Sequence, residues 1–223
     1  MKKTKKIVAL FLAAVMLVCT TVAATVAYLT ANTEVVNNTF TVGSVVIDLD
    51  ELPVDPYGVP STSETVDNKT VWTPIPADQI DTFEEKVGYA GRVRVNEYKL
   101  IPGHNYAKDP TVHVAVGSEE CWLFVKVTNE IANIEAATKI VDQMAAKGWT
   151  LVDGQTNVYA YNTKVDAREE AKHIVVFEEF TLLDNAAVNG YAGTSITIDA
   201  YAVQADGFDS AAAAWAAAPS SWN

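Results

Sequence analysis

The chain has 223 residues, of which 49% are hydrophobic and 20% are charged, and its formal net charge is −12. This balance argues against an intrinsically disordered protein, and the strong negative charge argues against nucleic-acid binding and attraction to anionic lipid, since both need positive charge. The two cysteines, Cys19 and Cys121, are too few for a disulfide scaffold.

The first 27 residues have the pattern of an export signal. Four lysines at positions 2 to 6 precede an uncharged run from Ile7 to Ala27. The run could span a bilayer, which needs about 20 apolar residues, but the small residues Thr25 and Ala27 favour cleavage between Ala27 and Tyr28. We therefore expect a signal peptide, contact with the membrane only through that signal before cleavage, and a secreted or cell-surface chain with a charge of −16. A retained anchor is the alternative.

Beyond the signal, apolar and polar residues alternate with a period of two, which predicts half-buried antiparallel strands. The longer expected strands are Phe40–Asp50, Arg92–Ile101, Thr111–Val116, Cys121–Thr128, His173–Leu182 and Ser195–Gln204, and the shorter ones are Val71–Thr73, Trp149–Val152 and Val158–Tyr161. Between them, Asp55–Gln79 is rich in Pro, Ser, Thr and Asp, a composition that predicts a long surface loop.

Two segments depart from this alternation. Apolar residues at spacings near 3.6 predict an amphipathic helix over 134–147, with Asn133 as its N-cap and Gly148 as its stop. Near the C-terminus, the Ala-rich stretch Ser210–Ala218 predicts a short helix that docks through Trp215.

The expected fold class is therefore all-β, a jelly-roll-like antiparallel β-sandwich with one inserted helix and a short Ala-rich C-terminal helix. We expect a signal peptide over 1–27, an extended N-terminal segment over 28–39, the β-sandwich domain over 40–205 and the Ala-rich tail over 206–223.

The search for catalytic motifs finds no HExxH helix, no GxSxG turn and no glycine-rich phosphate loop. The side chains beyond the signal that most often bind zinc are His104, His113, His173 and Cys121, and they lack paired spacing. His113 alternates with Val112 and Val114, which predicts a solvent-facing imidazole. Cys121 lies on the inward face of its strand, where a thiol acts as a small hydrophobe. We therefore expect no catalytic residue, no metal site and no cofactor.

Adjacent acidic residues recur along the chain, as at Glu119-Glu120 and Glu178-Glu179. Their spacing does not match a calcium-binding loop. We interpret them as a solvated charged surface, and a weak calcium-binding or proton-sensitive surface is the alternative.

Several strings in the sequence carry a specific resemblance. They are Ala27-Tyr28-Leu29-Thr30, Asn38-Thr39-Phe40-Thr41-Val42-Gly43, Val46-Ile47-Asp48-Leu49, Leu100-Ile101-Pro102-Gly103-His104, the valine-alternating strand Val112–Val116 and the strand Ser195–Gln204. With these strings the chain resembles the TasA/camelysin family of exported Gram-positive proteins.

The resemblance implies a jelly-roll β-sandwich, cleavage at Ala27–Tyr28 by a signal peptidase of the endoplasmic-reticulum type, and secretion. For TasA-like members it also implies assembly into biofilm matrix fibres, in which the extended N-terminus of one subunit completes the sheet of the next. The partners would then be other copies of the chain or related fibre subunits. Possible anchors in the donated segment are Tyr28, Leu29, Val35 and Val36. The alternative is that this segment pairs with its own domain.

Two other functions stay open. Camelysin-type members have been described as surface metalloproteases, so the resemblance alone keeps a protease as an alternative. A surface adhesin is the third hypothesis, because loops on rigid sandwiches often carry binding residues and the loop Asp55–Gln79 contains Tyr57 and Trp72.

Overall fold

The computed structural model describes residues 43–80 and 91–218. Its strands are β1 (Ile47–Asp50), β2 (Ser61–Val66), β3 (Lys69–Pro74), β4 (Asn105–Ala107), β5 (Thr111–Val114), β6 (Ser118–Asn129), β7 (Trp149–Leu151), β8 (Val158–Tyr161), β9 (Val165–Ala167), β10 (Lys172–Val175), β11 (Glu179–Thr181) and β12 (Ile196–Gln204). The α-helices are α1 (Ile140–Ala146) and α2 (Ala211–Ala216), and 3-10 turns lie at Ala77–Gln79 and Val188–Tyr191.

All the strands except the separate hairpin β2–β3 form two layers of antiparallel sheet. One layer contains the sheet β1-β5-β10 together with the small sheet β11-β4, and the other contains β12-β6-β8-β7, with β9 also paired to β6. Cys121, Leu123, Val125 and Val127 of β6 face Val112 and Val114 of β5 in one apolar core. The predicted all-β antiparallel sandwich is confirmed, and so is the inward face predicted for β6.

The second face of the β6 sheet is also buried. Phe124, Val158 and Ala160 lie on this face and pack against Ala214 and Trp215 of α2. The rings of Phe124 and Trp215 have centroids 5.2 Å apart. The predicted C-terminal helix is therefore confirmed, and Trp215 anchors it.

The inserted helix is shorter than the predicted 134–147. It covers Ile140–Ala146, and Ile140 and Met144 are its buried residues. Residues before it are used in a sheet-like contact instead, since Ala136 N donates to Thr181 O and Leu183 N donates to Ile134 O. These bonds to a distant segment replace the first helical turn that the spacing suggested. The helix does end before Gly148, whose φ is +89°.

Three further predictions, two from strand patterns and one from composition, are wrong in detail. Residues 92–101 do not form a strand, and their one β-bridge joins Val93 to Glu51. The range His173–Leu182 is divided between β10 and β11. The predicted loop Asp55–Gln79 contains the hairpin β2–β3, closed by Asp67 and Asn68 at φ 50° and 60°, which is the backbone that a tight hairpin turn requires.

Within the two described ranges, no helix is both long enough and apolar enough to cross a membrane.

Candidate functional site

The residues predicted for signal cleavage and strand donation lie outside the described residues. Ala27, Tyr28, Leu29, Val35 and Val36 are all in the range 1–42. Their roles stay predictions, and the candidate site among the described residues is the side of the sandwich where β1 and β12 each have an edge without a strand partner.

A groove of about 1150 Å³ is lined by the edge strands β1 and β12, which also approach each other. Its apolar lining comes from both layers and from the connecting segments, and it includes Ile47, Leu49, Tyr98, Leu100, Tyr191, Ile196, Ile198 and Ala200. These side chains pack against the main core yet are only partly buried. Among residues 43–80 and 91–218, the core of the sandwich is therefore only partly covered along this side.

Each of the two groove strands has one edge without a strand partner among the described residues. On β12, the bonds from Ala205 N to Glu120 O and from Glu130 N to Ser195 O show that odd-numbered residues face β6. In an antiparallel pair the intervening residues point their main-chain groups to the other edge. Ile196, Ile198 and Ala200 therefore direct N–H and C=O groups away from β6.

The main chain of β1 has the same arrangement. Ala115 N donates to Val46 O on the β5 side, whereas Glu51 and Val93 exchange two main-chain hydrogen bonds of 2.8 Å on the opposite side. Main-chain groups alternate in direction along a strand, so Ile47 and Leu49, like Glu51, direct theirs away from β5. On this edge Leu49 N donates to Asp48 Oδ1 at 2.9 Å, so the outward hydrogen-bonding groups that an extended segment would meet on β1 are those of Ile47 and the Leu49 carbonyl.

Acidic side chains outnumber basic ones along the groove. The acidic lining residues are Asp48, Asp50, Glu51, Glu97 and Asp199, and the basic ones are Arg94 and Lys108. Several of these charges are paired, with Asp48 on Arg94 and Glu51 on Lys108, each at 2.5 Å. The groove therefore suits a neutral or weakly basic segment better than an acidic one.

A buried ionic network lies at the end of β1. Arg92 Nε donates to Asp50 Oδ1 at 2.5 Å, and its Nη2 donates to Asp109 Oδ2 at 3.0 Å and to Thr111 Oγ1 at 3.1 Å. Burial alone would raise the pKa of Asp50, but hydrogen bonds from His113 and Arg92 outweigh it and hold that pKa below its ordinary value. The network fixes the side chain of Arg92 against Asp50 of β1 and Thr111 of β5.

The prediction that His113 faces solvent is wrong. Its side chain is buried, and its Nε2 donates to Asp50 Oδ1 at 2.8 Å. In the neutral imidazole this leaves Nδ1 as an acceptor, which lies 2.8 Å from Nδ1 of His173. Every residue of β5 is buried, because the network covers the face that alternation assigned to water.

The sequence held a signal for this network that the search for motifs missed. Acids at positions 48 and 50 and arginines at 92 and 94 both repeat with a period of two. Such matched alternation is typical of opposite charges that face each other on neighbouring extended segments. The structure pairs Asp48 with Arg94 and Asp50 with Arg92.

The remaining candidate ligands do not join a common site. His104 Nε2 donates to Tyr57 O at 2.8 Å, and its ring lies edge-on to Tyr106. Cys121 is fully buried, and burial, with a smaller effect of Glu120, raises the pKa of its thiol to about 12. In the part of the chain that the structure describes, no three His, Cys, Asp or Glu side chains are grouped so that they could hold a metal ion.

Comparison with protein-family models, with curated proteins and with solved structures finds no match to this chain.

Proposed function

We propose that the chain is a secreted structural protein, a subunit of a biofilm-matrix or cell-surface fibre of a Gram-positive bacterium that assembles by strand addition. The observation that carries this proposal is the open groove between β1 and β12. It combines two strand edges with an apolar lining, which are the two requirements for binding an extended peptide: main-chain hydrogen bonds for affinity and side-chain pockets for specificity.

The proposed occupant is residues 28–39 of another copy. Twelve extended residues reach about 40 Å at about 3.3 Å per residue, which is longer than the nine-residue strand β12. The segment contains one charged residue, Glu34, so it is close to the neutral peptide that the groove favours. A contact in which one copy donates and the next receives is head-to-tail, and it grows into a filament unless it closes into a ring.

The strong negative charge opposes assembly through repulsion between subunits. We therefore expect filaments to form more readily at mildly acidic pH or with added salt or calcium. Light scattering across pH and salt measures this, and fastest assembly at alkaline pH and low salt would contradict it.

The deciding experiment is negative-stain electron microscopy of residues 28–223 beside a matched chain that lacks residues 28–39. Filaments in the longer chain alone support strand donation. Dispersed particles in both chains, with folding verified by circular dichroism, would reject self-assembly.

A second candidate function, a surface adhesin, is favoured by the hairpin β2–β3. All of its residues except Ser61 are exposed, and Val66, Val71 and Trp72 present apolar surface to solvent. Replacing Thr62–Thr73 with a short Gly-Ser linker should abolish binding to host or polysaccharide ligands if the hairpin binds them, and should leave the sandwich folded. Unchanged binding would exclude this role.

A further inference from the structure

Three polar side chains from separate segments meet in the wall of the groove. Glu51 directly follows β1, Lys108 directly follows β4, and Asn96 lies in the segment between them. Lys108 Nζ lies 2.5 Å from Glu51 Oε2, and Asn96 Nδ2 donates to Glu51 Oε1 at 2.9 Å. The two oxygens of one carboxylate therefore contact an amine and a carboxamide at the same time.

The amine and the carboxylate are both out of solvent. Lys108 is 7% exposed and Glu51 is 5% exposed. Lysine is rarely buried to this extent without a partner, and the desolvation of two charges cancels much of what their attraction contributes. The ring of Tyr98, with its centroid 5.8 Å from Nζ, forms part of the wall beside the ammonium.

The carboxamide of Asn96 is fixed in one orientation. Its Nδ2 also donates to Leu52 O at 2.9 Å, and its Oδ1 accepts a hydrogen bond from Val54 N at 3.0 Å. The donor on Oδ1 polarises the carbonyl and would stabilise negative charge that develops on that oxygen. These bonds hold the Asn96 carboxamide on the same carboxylate that Lys108 contacts.

We propose that Lys108 and Asn96 form an intramolecular isopeptide bond between Nζ and Cγ, with Glu51 as the group that moves the protons. The proposal rests on the juxtaposition of a buried amine, a polarised carboxamide and a carboxylate that contacts both. It is independent of fibre assembly, since all three groups belong to one chain.

The reaction balances without any further reagent. Glu51 takes one proton from the Nζ ammonium, and the neutral amine attacks Cγ, which forms the new C–N bond and places negative charge on Oδ1. Glu51 delivers that proton to Nδ2, and the Cγ–Nδ2 bond breaks so that ammonia leaves. The second proton lost by Nζ converts ammonia to ammonium. Glu51 ends as it began, nothing is oxidised or reduced, and the product is a neutral amide.

The site favours the forward reaction. Holding the amine and the carboxamide on one carboxylate makes the attack effectively unimolecular. Glu51, Asn96 and Lys108 also line the groove, so the small leaving group has a path to solvent. The bond would tie the segment after residue 91, which makes one β-bridge, to the start of β5.

Mass spectrometry of the full purified chain tests the proposal directly. Trypsin cleaves after Arg94, Lys99 and Lys126 but not after an acylated Lys108. We expect a branched product that joins residues 95–99 to residues 100–126, lighter than the sum of the two peptides by one ammonia molecule. Separate peptides 95–99, 100–108 and 109–126, with no branched product from folded protein, would overturn the proposal.

Variants assign the roles. Lys108→Arg keeps a cation beside Glu51 but has no attacking amine, and Glu51→Gln keeps the shape but cannot carry the proton, so both should lack the branched peptide. Lys147→Arg, which changes a partly exposed lysine 2.6 Å from Glu178, is the matched control and should keep the branched peptide. A branched peptide at the unmodified level in Glu51→Gln would overturn the role of the carboxylate.

Discussion

Arg92 donates from Nε to Oδ1 of Asp50 at 2.5 Å, and both side chains are at most 5% exposed. The strength of this contact depends on its burial, because removing one partner of a buried pair leaves the other charge without compensation in a medium that solvates it poorly. We therefore expect Arg92→Ala to lower the free energy of unfolding by about 3–5 kcal/mol, measured by urea denaturation.

A second arginine provides the control. Arg94 contacts Asp48, which is on the same strand β1 as Asp50, and the distance is again 2.5 Å. The side chain of Arg94, however, is 73% exposed and that of Asp48 is 44% exposed. Exposed pairs contribute at most about 1 kcal/mol, so Arg94→Ala should change stability by no more than that. Equal losses from the two substitutions would contradict the importance of burial.

The same carboxylate should make the fold sensitive to acid. Burial opposes its ionisation, but His113 and Arg92 stabilise the charged form more strongly, so the pKa of Asp50 is below its usual value near 3.8. A carboxyl with a lowered folded-state pKa stabilises the fold above its unfolded pKa, and this contribution is lost as the pH falls through the folded pKa.

The measurement is the free energy of unfolding as a function of pH below about 4. Asp50→Asn should reduce its slope in this range. Asp166→Asn is the matched control, since its pKa is also lowered, to about 2, by the hydrogen bonds from Arg168, but its side chain is 48% exposed and solvent screens its effect. A slope that is unchanged in Asp50→Asn would contradict the role of the network.

The sequence predicted the two longest strands. β6 and β12 were both expected, and the structure pairs them over nine residues from Ile196 with Asn129 to Gln204 with Cys121. Alternation failed where polar residues are buried by other polar residues. In residues 92–101 the polar positions of the alternation are arginines that pair with aspartates. Val95, at an apolar position, is 76% exposed, so this alternation reflects charge pairing and not a buried face.

The groove and the triad in its wall could not be predicted from the sequence. Both depend on which strands end their sheets and on contacts between segments such as Glu51 and Lys108, which are 57 positions apart. The alternation of apolar and polar residues shows which face of a strand is buried, but it does not show that Glu51 lies beside Lys108. His113 was misassigned for the same reason, because its alternation with Val112 and Val114 is correct but its outer face is covered.

Cys121 should resist thiol reagents in the folded protein. Its side chain is fully buried, and its thiol, with a pKa of about 12, supplies little of the thiolate that reacts at pH 8. In residues 28–223, which lack Cys19, we expect no labelling by a maleimide until denaturant is added. Ser63→Cys, on the exposed hairpin, should accept one label when folded and two when unfolded. Rapid labelling of folded Cys121 would show that the core opens readily.

Proline substitutions on β12 can test the proposed role of its outer edge. The N–H of Ala200 points away from β6, so Ala200→Pro removes a donor from the groove while every hydrogen bond to β6 remains. The main-chain N–H of Tyr201 points toward β6, so Tyr201→Pro removes a hydrogen bond inside the sheet. We expect Ala200→Pro to fold and to lose filaments, whereas Tyr201→Pro should lower the thermal unfolding midpoint. Circular dichroism and electron microscopy of the two variants separate folding from assembly. Filaments at the unmodified level from folded Ala200→Pro would show that the outer edge of β12 does not receive the donated strand.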